Sequence, residues 1–90
     1  MDDVRANIDR IDRAIVPLLL ERLTYIKAAA GIKAERGMVR DEARVEDVVS
    51  KAKATASSQQ GDTAYIEDIY RFLIEWSIAH ETNEWDAKRR

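Results

Sequence analysis

Charged side chains stand where a helical bundle would normally place apolar ones in this sequence. In the first predicted helix, Arg22 takes the seam position between Leu18 and Tyr25. Lys33 follows 11 residues later, about 20° further round a helix and therefore on nearly the same face. Unpaired buried cations are costly, so a cluster of them predicts a pocket that binds an anion.

The third predicted helix carries two more polar residues on its apolar face. Ser77 and Glu81 share that face with apolar residues such as Ile66. Spacing alone leaves two interpretations open. The charged residues line a ligand pocket inside a helical bundle; otherwise the long side chains of Arg22 and Lys33 reach solvent, or Arg22 forms a structural salt bridge with Glu81.

Three helices are predicted to position these groups. The first runs from about Asp2 to about Arg36, and Pro17 inside it predicts a kink or a local break. Its apolar residues recur every 3.5 positions, as in a coiled-coil seam. That seam comprises Val4, Ile8, Ile11, Ile15, Leu18, Tyr25, Ala29 and Ile32.

The two shorter helices are separated by a polar turn. The second is predicted to start after the N-cap Asp41, and the 57–61 segment predicts its end and a turn. Asp62 or Thr63 then caps the third helix. The predicted core face of the third helix comprises Ile66, Ile69, Tyr70, Leu73, Trp76 and Ser77.

The length of the first helix predicts a dimer. About 34 helical residues extend for about 50 Å, whereas a compact domain of this size has a radius of gyration of about 12 Å. The seam of a protruding helix needs a partner. We therefore predict an all-α fold with a three-helix protomer, forming one domain over residues 1–90 and pairing as a homodimer.

Composition excludes several classes of protein. Net charge is −2, from 15 basic and 17 acidic residues, so a nucleic-acid partner is not expected. With no cysteine and one histidine, disulfides, thiolate chemistry and a multi-histidine metal site are not expected. No apolar run approaches the roughly 20 residues of a membrane span, and we expect a cytoplasmic protein. The closing 88–90 segment, Lys-Arg-Arg, is interpreted as a solvated tail.

The pattern resembles the all-α chorismate mutase family over nearly the whole chain. Four cations, Arg5, Arg22, Lys33 and Arg44, stand at family spacing, with gaps of 17, 11 and 11 residues. The motifs that carry the resemblance are Arg5-x-x-Ile8-Asp9-x-Ile11-Asp12, Leu19-x-Glu21-Arg22, Lys33, Val39-Arg40-Asp41, Arg44 and Ser77-x-x-x-Glu81.

The resemblance implies an intertwined homodimer that rearranges chorismate to prephenate without a metal or cofactor, in the shikimate pathway of aromatic amino acid biosynthesis. Arg22 would bind one substrate carboxylate, and Arg5 of the partner protomer the other. Lys33 would contact a carboxylate and the ether oxygen of the breaking bond. Asp41 and Arg44 would lie near the ring hydroxyl, and Ser77 would lie near the ring or a carboxylate.

Two residues depart from the family pattern. Glu81 stands where much of the family has Gln beside the ether oxygen, so it must be protonated to donate a hydrogen bond there. We therefore predict activity that is best at mildly acidic pH. Val45 stands where many mutases have Glu; the related isochorismate-pyruvate lyase has an apolar residue there. The Tyr25–Ala29 and Trp76–Ala79 segments are also similar to that lyase.

Three functions follow as hypotheses. The first is chorismate mutase, and the second is an isochorismate-pyruvate lyase that forms salicylate and pyruvate. The third, of another class, is a non-catalytic helical dimerisation module. His80 lies about 100° round the helix from Glu81, so we do not expect it to act as a base, and Trp76 and Trp85 are interpreted as packing residues.

Overall fold

The computed structural model describes residues 1–89, which form three α-helices and one short 3-10 turn. Helix α1 spans Asp2–Ile32, α2 spans Glu42–Ser58 and α3 spans Thr63–Lys88, with the 3-10 turn at Arg36–Met38. The all-α class and the three-helix protomer predicted from the sequence are confirmed. Arg90, the last residue of the predicted solvated tail, lies outside the described residues.

Helix α1 is continuous through Pro17. The predicted local break is therefore wrong. The helix ends four residues earlier than predicted, because Lys33 adopts an extended conformation (φ −66°, ψ 132°) and serves as its C-cap.

The boundaries of α2 and α3 follow the predicted capping signals. The Asp41 carboxylate accepts a hydrogen bond from the Arg44 N–H at 3.1 Å, and Asp62 accepts one from Tyr65 N–H at 3.1 Å. Each bond satisfies an N–H that the helix itself leaves without a partner.

A tight turn joins α2 to α3. Gln60 has a positive φ of 55°, and Gly61 N–H donates to the Ala56 carbonyl at 2.8 Å. A Cβ at position 61 would lie 3.2 Å from that same oxygen, so glycine permits the close approach.

The core lies where α3 packs against α2 and α1. Val45, Val49 and Ile74 form its buried cluster, with Val48 and Ile78 packed against them. The predicted α3 core face is partly wrong, because Ile69 and Trp76 are exposed in the protomer while Ile74 is buried.

The N-terminal two-thirds of α1 has no apolar cover within the protomer. All residues from 1 to 21 are exposed, and the molecule extends 51 Å along its longest axis. The exposed apolar residues of this segment are Val4, Ile8, Ile11, Ile15, Val16, Leu18, Leu19 and Leu20.

No helix within residues 1–89 combines the length and apolarity needed to cross a membrane.

Candidate active site

A cavity of about 480 Å³ opens where the C-terminal half of α1, the α1–α2 connection, the start of α2 and the second half of α3 meet. This volume suits a small organic molecule. Its charged and hydroxyl-bearing lining residues are Arg22, Lys33, Asp41, Arg44, Ser77 and Glu81. The apolar remainder consists of Tyr25, Ile26, Ala29, Met38, Val39, Val45, Val48, Ile74 and Ile78.

Lys33 and Glu81 form the most buried charged pair of the cavity. The Lys33 Nζ donates to Glu81 Oε1 at 2.6 Å, and Glu81 is only 4% exposed. A charge-assisted bond of this length in a sheltered site is stronger than a neutral one. The two polar ends therefore lie close enough to contact one atom of a ligand together.

Arg22 has a neutral partner. One of its Nη atoms donates to Ser77 Oγ at 3.1 Å, and the Ser77 hydroxyl in turn donates to the Leu73 carbonyl at 2.7 Å. No carboxylate of residues 1–89 forms an ion pair with Arg22, so the alternative of a structural Arg22–Glu81 salt bridge is wrong. The half-buried guanidinium retains N–H donors that Ser77 does not use.

Arg44 and Asp41 stand together at the start of α2. The Asp41 carboxylate caps the helix, whereas the Arg44 guanidinium is bonded to Asp47 at 2.7 Å. A hydrogen bond from Lys51, and a smaller contribution from one with Arg44, hold the pKa of the Asp47 carboxyl below its usual range. Arg44 therefore lines the cavity, while its guanidinium is bonded to Asp47 on the same helix.

Arg5 is the one predicted site residue that does not line this cavity. It lies on the exposed N-terminal part of α1. Since α1 is unbroken, the 17-residue separation places Arg5 about 25 Å along the helix from Arg22, beyond the reach of an arginine side chain.

His80 is also outside the cavity lining. Its ring stacks on Trp76 with 5.2 Å between centroids, and its Nε2 lies 3.7 Å from Glu84. This position agrees with the expectation that His80 is not the base of the site.

The C-terminal segment of α3 is bonded to the end of α1 in a way that sequence analysis missed. Trp85 Nε1 donates to the Lys33 carbonyl at 3.0 Å, and Lys88 Nζ donates to the Lys27 carbonyl at 2.8 Å. Arg89 bonds to carbonyls of the same region. Residues 88 and 89 are exposed but bonded to α1, so they are not a free tail. The four-residue spacing of 81, 85 and 89 could have indicated the role of Arg89.

A helical protein whose cavity is lined with cations is typical of enzymes that hold a small anionic molecule between helices. Residues 4–82 match the family of type II chorismate mutases, and this chain belongs to that family. It is therefore an enzyme of the chorismate mutase class. An isochorismate pyruvate lyase from Pseudomonas aeruginosa is 32% identical to it over 87 residues, covering 97% of this chain and 86% of the relative.

Proposed function

We propose that the protein rearranges chorismate to prephenate, with Arg22 and Lys33 as its principal substrate-contacting residues. The family supports the class of reaction. The cavity supports the substrate class, because its size suits a single-ring molecule and its polar lining is rich in cations.

The state of Arg22 carries this proposal. Its guanidinium is half-buried, bonded to a neutral hydroxyl, and has no carboxylate partner among residues 1–89. A cation in such a place is unfavourable unless an anion arrives to balance it. A planar carboxylate is the group that a guanidinium binds best, through two parallel hydrogen bonds.

The charge balance calls for a further cation. The lining holds three cations, Arg22, Lys33 and Arg44, and two carboxylates, Asp41 and Glu81. Lys33 is bonded to Glu81 and Arg44 to Asp47, so Arg22 can bind one carboxylate, and the second carboxylate of the substrate needs another cation.

We propose that Arg5 of a second protomer supplies the missing cation. Within its own protomer Arg5 is about 25 Å from Arg22. The exposed apolar seam of α1 supports pairing of the long helices in a homodimer. Such pairing would bring the N-terminal part of one α1 to the cavity of the other protomer.

In the proposed reaction, one C–O bond breaks and one C–C bond forms within the substrate, so neither a nucleophile nor an external base is required. Arg22 and Arg5 hold the two carboxylates in the compact conformation that brings the reacting carbons together. Negative charge develops on the ether oxygen. Lys33, and Glu81 in its protonated form, stabilise that charge by donating hydrogen bonds.

The remaining polar residues orient the ring. Asp41 and Arg44 lie at the start of α2 and would contact the ring hydroxyl, with Arg44 exchanging its bond to Asp47 for one to the substrate. Ser77 bonds to Arg22, and this contact supports the proposed role of its hydroxyl beside the ring or a bound carboxylate.

A second candidate function is cleavage of isochorismate to salicylate and pyruvate. Val45 favours it, because this buried residue presents a methyl surface to the cavity where many mutases have Glu. The identity to a protein named as an isochorismate pyruvate lyase supports it as well. The enzyme family speaks against the third hypothesis, a non-catalytic dimerisation module.

Product identification separates these functions. Wild type, Arg22→Met and the control Arg71→Met are each given chorismate and, separately, isochorismate. We expect prephenate from chorismate, and a loss of at least about 100-fold in rate for Arg22→Met. Arg71 pairs with Glu46 and Glu67 on the surface, so its variant should keep the wild-type rate. Pyruvate and salicylate from isochorismate, with no prephenate, would establish the second candidate.

A further inference from the structure

The C-terminal end of α1 has none of the usual helix stops of its own. It has no basic side chain in its last turn, and no glycine among residues 1–89 has a positive φ. The final carbonyls of a helix lack intrahelical donors and need partners from elsewhere.

Helix α3 and its C-cap residue Arg89 provide these donors. Trp85 Nε1 donates to the Lys33 carbonyl at 3.0 Å, and an Arg89 Nη donates to the same oxygen at 2.5 Å. The other Arg89 Nη donates to the Ala30 carbonyl at 3.1 Å. The guanidinium also lies over the Trp85 ring, with 4.1 Å between its central carbon and the ring centroid, so the two side chains support each other.

The same face of α3 also holds the other end of Lys33. Glu81, Trp85 and Arg89 follow at four-residue steps and so lie above one another along the helix. Glu81 accepts the hydrogen bond from the Lys33 ammonium, while Trp85 and Arg89 donate to its carbonyl. This one face of α3 therefore contacts Lys33 both at its ammonium group and at its main-chain carbonyl.

We propose that Trp85 and Arg89 are positioning residues for Lys33, which rests on the function proposed above. Lys33 belongs to no helix, and its ammonium sits at the end of a flexible four-carbon side chain. The position of that ammonium depends on where the backbone of residue 33 is held. A misplacement of about 1 Å at a reacting centre can reduce the rate about 100-fold.

Matched variants test this proposal. Trp85→Phe keeps the ring and removes the N–H donor, Arg89→Met removes the guanidinium, and Arg89→Lys restores one cationic donor. The control Lys88→Met loses a bond from the same segment to the Lys27 carbonyl, which stabilises the helix end without touching Lys33.

We expect kcat to fall about tenfold for Trp85→Phe and for Arg89→Met, with KM within about twofold, because Lys33 acts on charge that develops only in the transition state. Arg89→Lys should recover part of the loss, and Lys88→Met should retain the wild-type kcat. In a Lys33→Ala background, Trp85→Phe should have no further effect on kcat. If Lys88→Met loses as much kcat as Trp85→Phe and Arg89→Met, these residues stabilise the helix end in general and do not position Lys33. That result would overturn the proposal.

A second measurement does not depend on turnover. The rate at which an N-hydroxysuccinimide ester acylates Lys33, read by peptide mass with the exposed Lys51 as internal reference, should rise several-fold in Trp85→Phe and Arg89→Met. Unchanged acylation and unchanged kcat would overturn the positioning role while an active wild type upholds the proposed function. If wild type converts neither substrate, the proposed function fails, and the acylation rates alone then decide whether Trp85 and Arg89 hold Lys33.

Discussion

The Lys33 ammonium lies 2.6 Å from the Glu81 carboxylate, 48 positions away in the chain. Both groups line the cavity, and Glu81 is almost fully buried. Glu81 is the acceptor of this bond, whereas the proposed mechanism requires it to donate to the ether oxygen.

The first prediction concerns this donor role. The amide of Gln donates a hydrogen bond without taking up a proton, so Glu81→Gln should keep at least the wild-type kcat/KM, whereas Glu81→Leu, which neither donates nor accepts, should lose about 100-fold. Glu84→Gln, a change on the His80 side of α3, should keep the wild-type rate. Equal losses in Glu81→Gln and Glu81→Leu would remove Glu81 from the donor role.

The second prediction concerns the stability of the Arg22→Met variant. An arginine without a carboxylate partner is held in a half-buried position, and an apolar side chain of similar length should pack there at lower cost. We expect the variant to melt at a higher temperature than wild type, by up to a few degrees for about 1 kcal/mol, while its activity is lost. Calorimetry alongside the product assay measures both. A large fall in melting temperature would mean that Arg22 serves mainly to hold the fold.

The third prediction concerns the contribution of Arg5 from a second protomer. Arg5→Ala and Arg22→Ala should each be inactive alone, because each removes one carboxylate clamp. Co-expressed chains that pair at random should recover about a quarter of the wild-type sites, since each mixed dimer rebuilds one intact site. Arg10→Ala, about 140° round α1 from Arg5, should stay active. Absence of recovery in purified mixed dimers would contradict the shared site.

The fourth prediction concerns acid stability at the α2–α3 interface. A hydrogen bond from Arg71 holds the pKa of Glu46 below its usual value of 4.5, and bonds from Lys53 and then Arg71 do the same for Glu67. A lowered folded-state pKa stabilises the protein above the unfolded value and loses that effect as pH falls through the folded value.

Acid titration of thermal stability measures this effect. Melting temperature should decline as pH falls below 4.5, and Glu46→Gln together with Glu67→Gln should show a shallower decline than wild type. The pairs are exposed, so the difference should shrink at high salt. Parallel curves for wild type and the double variant would exclude these two carboxyls as its source.

The sequence predicted the positions of the helices where capping residues and apolar period agree. Asp41 and Asp62 cap the starts of α2 and α3 as expected, because an N-cap is a local signal. The predicted end of α1 was wrong; the carbonyl of its C-cap Lys33 is bonded to Trp85 and Arg89, which lie more than 50 positions away. Such contacts have no local signal.

The candidate site divides in the same way. Arg22 and Ser77 were predicted to share a cavity because each interrupts an apolar face, and the structure brings them into contact. The sequence pattern did not predict that Lys33, rather than Arg22, would pair with Glu81, because that choice depends on where α1 ends. The burial of Ile74 was missed because the rotation of α3 about its own axis, relative to α2 and α1, decides which of its apolar residues face inward.

The turn at Gln60 and Gly61 lies at the opposite end of α2 from the residues that line the cavity. The last cavity residue of α2 is Val48, so about 12 residues, or about 18 Å of helix, separate the chemistry from this bend. A longer loop, a dye or a fused peptide could therefore be grafted between the two helices while catalysis goes on undisturbed. Among natural relatives, we expect differences in chain length to occur most often at this turn between α2 and α3.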